Sequence, residues 1–109
     1  MASPKSVRAI PKLSDKERNW YILKGYNITI DHWGNRGWWL NGKRHREDGP
    51  AIEYADGDRY WFLNGKLHRE DGPAIEHSNG SREWWLNGKW MSEEQHRIAV
   101  SEMKNAPAT

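Results

Sequence analysis

The segment WWLNGKRHREDGPAIEYADGD, residues 38–58, recurs 23 residues later as WFLNGKLHREDGPAIEHSNGS, residues 61–81. Nine consecutive residues, 45–53 in the first copy, are identical in the second. A third copy begins as WWLNGKWMSEE at 84–94, and an earlier partial copy without HREDGP is present in WYILKGYNITIDHWGN at 20–35. A fixed internal period of this length is typical of stacked supersecondary units. We therefore interpret the chain as two full repeats between two partial ones.

Each full copy contains a strand, a connector, a second strand and a tight turn. The first strand, RYWFLNG at 59–65, is rich in aromatic residues that suit a pleated surface, and its Asn-Gly supplies the positive φ angles of a hairpin turn. The second strand, PAIEH at 73–77, is short, and SNG at 78–80 turns the chain back. The pattern predicts a mainly β fold, a single antiparallel meander of about seven strands over residues 20–91.

The two ends of the chain carry helix signals. SDKE at 14–17 and SEEQ at 92–95 both have the form of a capping box, in which Ser and Glu or Gln satisfy the first free N–H groups of a helix. We predict a short N-terminal helix and a C-terminal helix over 92–104 that caps the sheet. The remaining segments are a basic N-terminal segment, residues 1–19, and a tail, residues 105–109.

Charge is distributed unevenly along the chain, whose net charge is +2. Residues 1–19 carry five Lys and Arg against two acids, whereas residues 20–89 carry ten of each sign. A nucleic-acid-binding protein usually has a basic stripe on its folded part, and this repeat body is neutral. The chain has no Cys, which excludes disulfides and thiolate metal sites. No apolar run approaches the length of a membrane span, so we expect a soluble, cytoplasmic protein without a cofactor.

The glycine-punctuated 23-residue pattern resembles the MORN repeat, a β-hairpin unit. LNGKLHREDGPA, at 63–74, is more specifically similar to MORN-like repeats in small proteins of large bacteriophages and other viruses. HREDGP stands where a classical unit passes almost directly from His to Gly, so no membrane association is expected. The resemblance implies an extended twisted sheet used for binding. In a phage setting it implies an accessory protein that binds and inhibits a host protein, with host-defence machinery as the target class.

The duplicated connector could carry chemistry or only structure. A catalytic or metal site would need His beside paired carboxylates, but His45 and His68 lie on separate copies, and one asymmetric centre is seldom built from identical repeats. We therefore favour a structural role and predict neither an enzyme nor a metal protein. In that role an Arg pairs with an acid of the neighbouring copy, and His stacks on the Trp layer. Exposed Arg46 and Arg69 remain candidate contacts to a partner.

The aromatic residues are expected to form two stripes, because side chains alternate across a strand. The natural core face carries Trp38, Trp61 and Trp84. The opposite stripe carries Trp39, Tyr60, Phe62 and Trp85. This second stripe is a candidate partner-binding surface, because Trp and Tyr dominate interface hot spots. The alternative is that the chain termini lie over it.

Two further functions are kept as alternatives. Aromatics interleaved with Arg36, Arg59 and Arg82 would form a stacking platform for single-stranded nucleic acid, although the equal number of acids weakens the attraction for phosphate. An open sheet also leaves its edge strands unpaired. Self-association through these edges would give a homodimer or a scaffold.

Overall fold

Residues 12–105 are described by a computed structural model, and this part of the chain forms two helices and ten short strands. The helices are α1 (Asp15–Leu23) and α2 (Glu93–Lys104). The strands are β1 (Tyr26–Ile30), β2 (Arg36–Leu40), β3 (Lys43–Arg44), β4 (Ile52–Glu53), β5 (Arg59–Tyr60), β6 (Phe62–Leu63), β7 (Lys66–Leu67), β8 (Ile75–Glu76), β9 (Arg82–Leu86) and β10 (Lys89–Met91).

The strands form one antiparallel sheet and one attached hairpin. Seven strands follow the order β1-β2-β4-β5-β8-β9-β10, β3 pairs with β2 at the side, and β6 pairs with β7 as a separate hairpin. Each pairing is antiparallel, with registers such as Tyr26 opposite Leu40 and Trp90 opposite Trp85. The predicted fold, a mainly β antiparallel meander with a C-terminal helix and a short N-terminal helix, is confirmed.

Successive copies are joined by backbone hydrogen bonds. The Arg46 N–H donates to the Phe62 carbonyl at 3.1 Å, and the Gly65 N–H donates to the Arg44 carbonyl at 2.8 Å. These bonds place β3 of one copy beside the β6–β7 hairpin of the next. β5 lies just before β6 in the chain, and it pairs with β4 on one side and with β8 on the other. Each copy is thus held to its neighbours along its whole length.

The Asn-Gly turns have the geometry that their sequence predicts. Asn41, Asn64 and Asn87 have φ angles of 53°, 51° and 50°, and the glycine that follows each has a φ angle between 77° and 81°. Positive φ at two consecutive positions defines a type I′ turn, whose twist matches that of the flanking strands. Asn and Gly tolerate this conformation better than other residues do. The three hairpins therefore superimpose in register.

The upstream partial copy is shorter than expected. Its turn at 31–35 matches the turn at 54–58, because in each the first N–H donates to the fifth carbonyl, at 3.0 and 2.9 Å. Residues 20–23, however, belong to α1 and not to a strand of the repeat. A satisfied capping box at Ser14 starts the helix, and no alternating pattern competes with it before Gly25. The repeat begins at Tyr26.

Both predicted capping boxes are present. The Ser14 hydroxyl accepts the Glu17 N–H at 3.1 Å, and the Glu17 carboxylate accepts the Ser14 N–H at 2.9 Å. Ser92 and Gln95 repeat the arrangement at 3.1 and 3.0 Å. The start of the basic N-terminal segment, residues 1–11, and the end of the predicted tail, residues 106–109, lie outside the described residues.

The duplicated histidines link one copy to the next. The Asn64 N–H donates to His45 Nδ1 at 2.8 Å, and the Asn87 N–H donates to His68 Nδ1 at 2.9 Å. Nδ1 is therefore the acceptor, and Nε2 of each buried ring faces a carboxylate of its own connector. The Asn of each hairpin turn depends on a His of the preceding copy.

We expect His68→Ala to lower the free energy of unfolding by about 1–3 kcal/mol, because it leaves the Asn87 N–H without its acceptor inside the protein. His32→Ala, which changes an exposed ring in the first turn, serves as the control. Urea unfolding followed by circular dichroism measures both. Equal midpoints for the two variants would show that the histidine does not hold the copies together.

Candidate functional site

The two faces of the sheet differ in what lies on them. One face carries Trp38, Trp61 and Trp84, and we call it the connector face because the HREDGP connectors lie on it. The other carries Trp39, Phe62 and Trp85, and we call it the open face. Ile28 is paired with Trp38 and Asn27 with Trp39, so successive side chains of β1 and β2 point to opposite faces of the sheet.

On the connector face, Arg46 closes its own connector. Its guanidinium lies 3.9 Å from the centre of the Trp38 ring. Nε donates to Asp48 Oδ1 at 3.0 Å, and Nη1 donates to the Pro50 carbonyl at 3.1 Å. A Cβ at Gly49 would lie 2.8 Å from the Arg46 Cζ, so a glycine gives the guanidinium its room. The connector is a tight loop wound around one Arg.

Arg69 repeats this arrangement in the second copy. Its guanidinium lies 3.9 Å from the Trp61 ring centre and donates to Asp71 at 2.9 Å and to the Pro73 carbonyl at 3.1 Å. Glu76, also of the same copy, accepts a further bond at 3.1 Å.

Two expectations for Arg46 and Arg69, their exposure and their pairing between copies, must therefore be corrected. The side chains of Arg46 and Arg69 are only 14% and 20% exposed. They pair with acids of their own copy and not of the neighbouring one, because a stacked guanidinium reaches a carboxylate two residues away within the loop. The predictions of exposed arginines and of pairing between copies were wrong.

Both helices dock on the connector face. The Tyr21 hydroxyl of α1 donates to Asp48 Oδ2 at 2.8 Å and accepts a bond from Arg46 Nη2 at 3.2 Å. His96 of α2 donates from Nε2 to the Arg69 carbonyl at 2.6 Å. These contacts place each helix against one connector. They lie on the side of the sheet opposite Trp39, Phe62 and Trp85.

The open face brings together the four aromatic residues that the sequence predicts for it. Trp39, Tyr60, Phe62 and Trp85 are all half-buried. Trp39 Nε1 donates to the Thr29 hydroxyl and Trp85 Nε1 donates to Glu83, each at 3.2 Å. Their indole N–H groups are thus satisfied by neighbours while part of each ring reaches solvent.

Differences between the two full copies concentrate on the open face. Residues 36–58 and 59–81 differ at seven of 23 positions. Three of these lie in the returning turn, at 55, 56 and 58 of the first copy. The other four, all on the open face, are the pairs Gly37 and Tyr60, Trp39 and Phe62, Arg44 and Leu67, and Tyr54 and His77. Side chains of the connector face are the same in both copies.

Aromatic residues outside the predicted set are the most exposed. Trp20, Trp33 and Trp90 are 51%, 68% and 59% exposed. Trp90 lies opposite Trp85 in the β9–β10 pair, so it extends the open face. Trp90 occupies the position in the third copy that Arg44 occupies in the first. This correspondence is the sequence signal that could have placed Trp90 on the open face.

The arginines expected to interleave with the aromatic stripe lie on the connector face. Arg36 and Arg59 bind Glu53 and Glu76 at 2.8 and 2.9 Å. Arg82 pairs in register with Glu76 and approaches the Trp84 ring at 5.7 Å. Because side chains alternate, residues two positions before Trp38, Trp61 and Trp84 share their face. These three arginines therefore do not interleave with the aromatic residues of the open face.

A groove of about 630 Å³ runs between the two connectors, with Trp61 in its lining. Its lining includes Arg46, Asp48, Arg69 and Asp71. Each of these arginines already binds the aspartate of its own connector. The groove therefore offers a ligand mostly side chains that are committed to the fold.

A small charged cluster lies near the third copy on the open face. His77 Nε2 donates to Glu83 Oε2 at 2.9 Å, and Nδ1 lies 3.5 Å from Asp58 Oδ2. The bond to Glu83 raises the pKa of His77 above its ordinary value of about 6.5, and Asp58 adds to this against an opposing effect of burial. The same bond lowers the pKa of Glu83. All three side chains are partly exposed.

Comparison with protein-family models, with curated proteins and with solved structures gives no match to this chain. Within residues 12–105, no group of three or more His, Asp and Glu residues is arranged to hold a metal ion. In the same part of the chain, no helix is long and apolar enough to cross a membrane. Function is therefore inferred from the chemistry of the two faces.

We expect the His77 ring to titrate above pH 6.5 in an NMR pH series and its midpoint to fall in Glu83→Gln, because the variant loses the accepting carboxylate. His77 supports folding fully below about pH 6.5, and this support is lost as pH rises through its raised pKa. Glu83 supports folding above about pH 4.5 and loses its effect as pH falls through its lowered pKa.

The pair should therefore stabilise the protein most in weakly acidic solution, by less than about 1 kcal/mol because it is partly exposed. Glu102→Gln, an exposed change on α2, is the control and should leave the His77 midpoint unchanged. A midpoint that is the same in wild type and Glu83→Gln would contradict the assignment.

Proposed function

We propose that the chain is a non-catalytic protein-binding module that contacts its partner through the open face. The observation that carries this proposal is the distribution of differences between copies. Copies that stack in the same way must keep the same packing residues, and the connector face does so. The four side-chain differences outside the turn lie on the face that the helices leave uncovered, where packing imposes the least constraint.

The chemistry of the open face supports binding to a protein. Half-buried aromatic rings in successive copies give an apolar surface on which the indole N–H groups of Trp39 and Trp85 are already satisfied. Such rings lose little conformational entropy on binding and often supply most of the binding free energy. Trp90 continues this surface to the edge strand β10.

The resemblance to MORN-like repeats suggests a cellular role for this binding module. A small phage-type accessory protein of this kind would act in the cytoplasm of the host cell, where it would bind and inhibit a host protein. Machinery of host defence is the target class that we propose. Binding of single-stranded nucleic acid has less support, because Arg36 and Arg59 are paired with acids on the opposite face.

Self-association is a second candidate, favoured by the free edges of the sheet. β1 and β10 end the strand order, and Ile30 on β1 is largely exposed. An edge strand presents backbone groups that a second copy can pair with. Sedimentation over a range of concentrations tests this candidate, and a monomer at the highest concentration would exclude it.

Making the first copy identical to the second on the open face should abolish partner binding without unfolding the protein. The variant combines Gly37→Tyr, Trp39→Phe, Arg44→Leu and Tyr54→His. Each new residue already occupies the equivalent position of the second copy, so circular dichroism should remain native. We expect capture of the partner, measured by affinity purification from bacterial lysate and mass spectrometry, to fall about tenfold or more.

The matched control makes the turns identical instead, with Ser78→Ala, Asn79→Asp and Ser81→Asp. Each of these new residues already occupies the equivalent position of the first copy. The changes lie outside the aromatic surface, so partner capture should be retained. Capture that survives the open-face variant, or is lost equally in the turn variant, would refute the open face as the binding surface.

A further inference from the structure

Within residues 12–105, Arg44 places a guanidinium on the open face without a carboxylate partner. It lies over Trp39, with Cζ 3.8 Å from the ring centre. Within residues 12–105 its side chain forms no ion pair and no side-chain hydrogen bond. The equivalent residues of the other copies, Leu67 and Trp90, carry no charge. The charge is therefore specific to the first copy and is not required by the repeat.

Gly37 makes the room that Arg44 occupies. A Cβ at Gly37 would lie 2.0 Å from Arg44 Nη1 and 3.1 Å from Cζ, so any larger residue would displace the guanidinium. The other copies have Tyr60 and Glu83 at this position. The first copy thus differs from the other copies at two positions that fit each other, because Gly37 leaves the space that the Arg44 guanidinium fills.

The surroundings prepare this guanidinium for an anion. A shallow pocket of about 180 Å³ beside it is lined by residues that include Thr29, Ile52 and Tyr54. Arg44 is half-buried, and this burial lowers the pKa of its guanidinium. Stacking fixes the guanidinium plane and leaves its N–H edge free to hold a carboxylate through two parallel bonds.

The acid nearest to this pocket is already engaged. Asp31 also lines the pocket, but its Oδ1 accepts the N–H groups of Trp33 and Asn35 at 3.0 and 2.9 Å. Its Oδ2 accepts a third bond from the Asn35 side chain. These bonds hold the carboxylate within its own turn, so the only acid that lines this pocket within residues 12–105 is not free to bind Arg44.

We propose that Arg44, held on Trp39 above Gly37, is the receptor for the carboxylate of an acidic residue in the partner protein. This inference rests on the open face being the protein-binding surface. A phosphodiester backbone is less suitable, because nucleic acid needs several cations along its path, and the equivalent positions of the next copies are Leu67 and Trp90.

The neighbours of Arg44 also set what should lie beside that acid. The Arg46 N–H donates to the Phe62 carbonyl and the Gly65 N–H donates to the Arg44 carbonyl, so the strand of Arg44 lies directly beside that of Phe62. Hydrogen-bonded strands are about 5 Å apart. The acid on Arg44 should therefore be accompanied by a nearby apolar residue that contacts Phe62.

The test uses a displayed library of random peptides selected on the full-length chain. We expect recovered peptides to be rich in Asp or Glu with an apolar residue nearby. Their binding, measured by fluorescence anisotropy, should fall about tenfold or more in Arg44→Leu, which carries the residue of the second copy. Gly37→Ala should cause a similar loss, because it displaces the guanidinium without removing it.

Lys43→Gln, which removes a neighbouring exposed charge, is the control and should bind as wild type does. Replacing the acid of a recovered peptide by its amide should weaken binding to wild type but not to Arg44→Leu.

Three results would overturn the carboxylate proposal. Peptides that bind wild type and Arg44→Leu equally would contradict it. If the open-face variant of the first copy loses those peptides, the protein-binding function still stands. Recovery of no binding peptide would count against both. A labelled oligothymidylate bound by wild type and not by Arg44→Leu would assign the guanidinium to a phosphodiester.

Discussion

The stacking of an arginine on a tryptophan within each connector is the interaction on which the rest of the structure depends. Arg46 on Trp38 turns a charged hexapeptide into a compact loop that covers one face of the sheet. Tyr21 of α1 then binds this loop, and His96 of α2 binds the next. A single sheet therefore gains a second layer without a long helix, and most of its buried apolar residues lie on this side.

This asymmetry explains which residues are buried. Trp38, Ala51 and Ala74 are fully buried under the connectors, whereas on the open face Ile75 is buried but the aromatic rings remain half-exposed. In a fold that covered both faces of the sheet, most of the aromatic side chains would be buried in packing contacts. This one keeps half of them available, and the face that carries Arg44 and Trp90 is free to differ from copy to copy.

The sequence predicts the repeat, the turns and the helix starts because each depends on short-range chemistry. Asn-Gly at residues 41–42 and the capping box at Ser92 need only their neighbours in the chain. The partner of Arg46 was predicted wrongly because the sequence shows several equivalent acids and does not show the stacking that selects Asp48. The exposure of Trp33 and Trp90 depends on how the ends of the array are covered, which alternation alone does not decide.

Contacts limited to adjacent copies have a consequence for how such a chain can evolve. His45 reaches the turn at Asn64 and goes no further, and His68 reaches Asn87 in the same way. Duplication of one 23-residue block would therefore add a unit in the middle and leave both terminal helices on their own connectors. The length of the molecule can therefore change in units of one repeat. Each added repeat would bring a new part of the open face, which is free to acquire a different specificity.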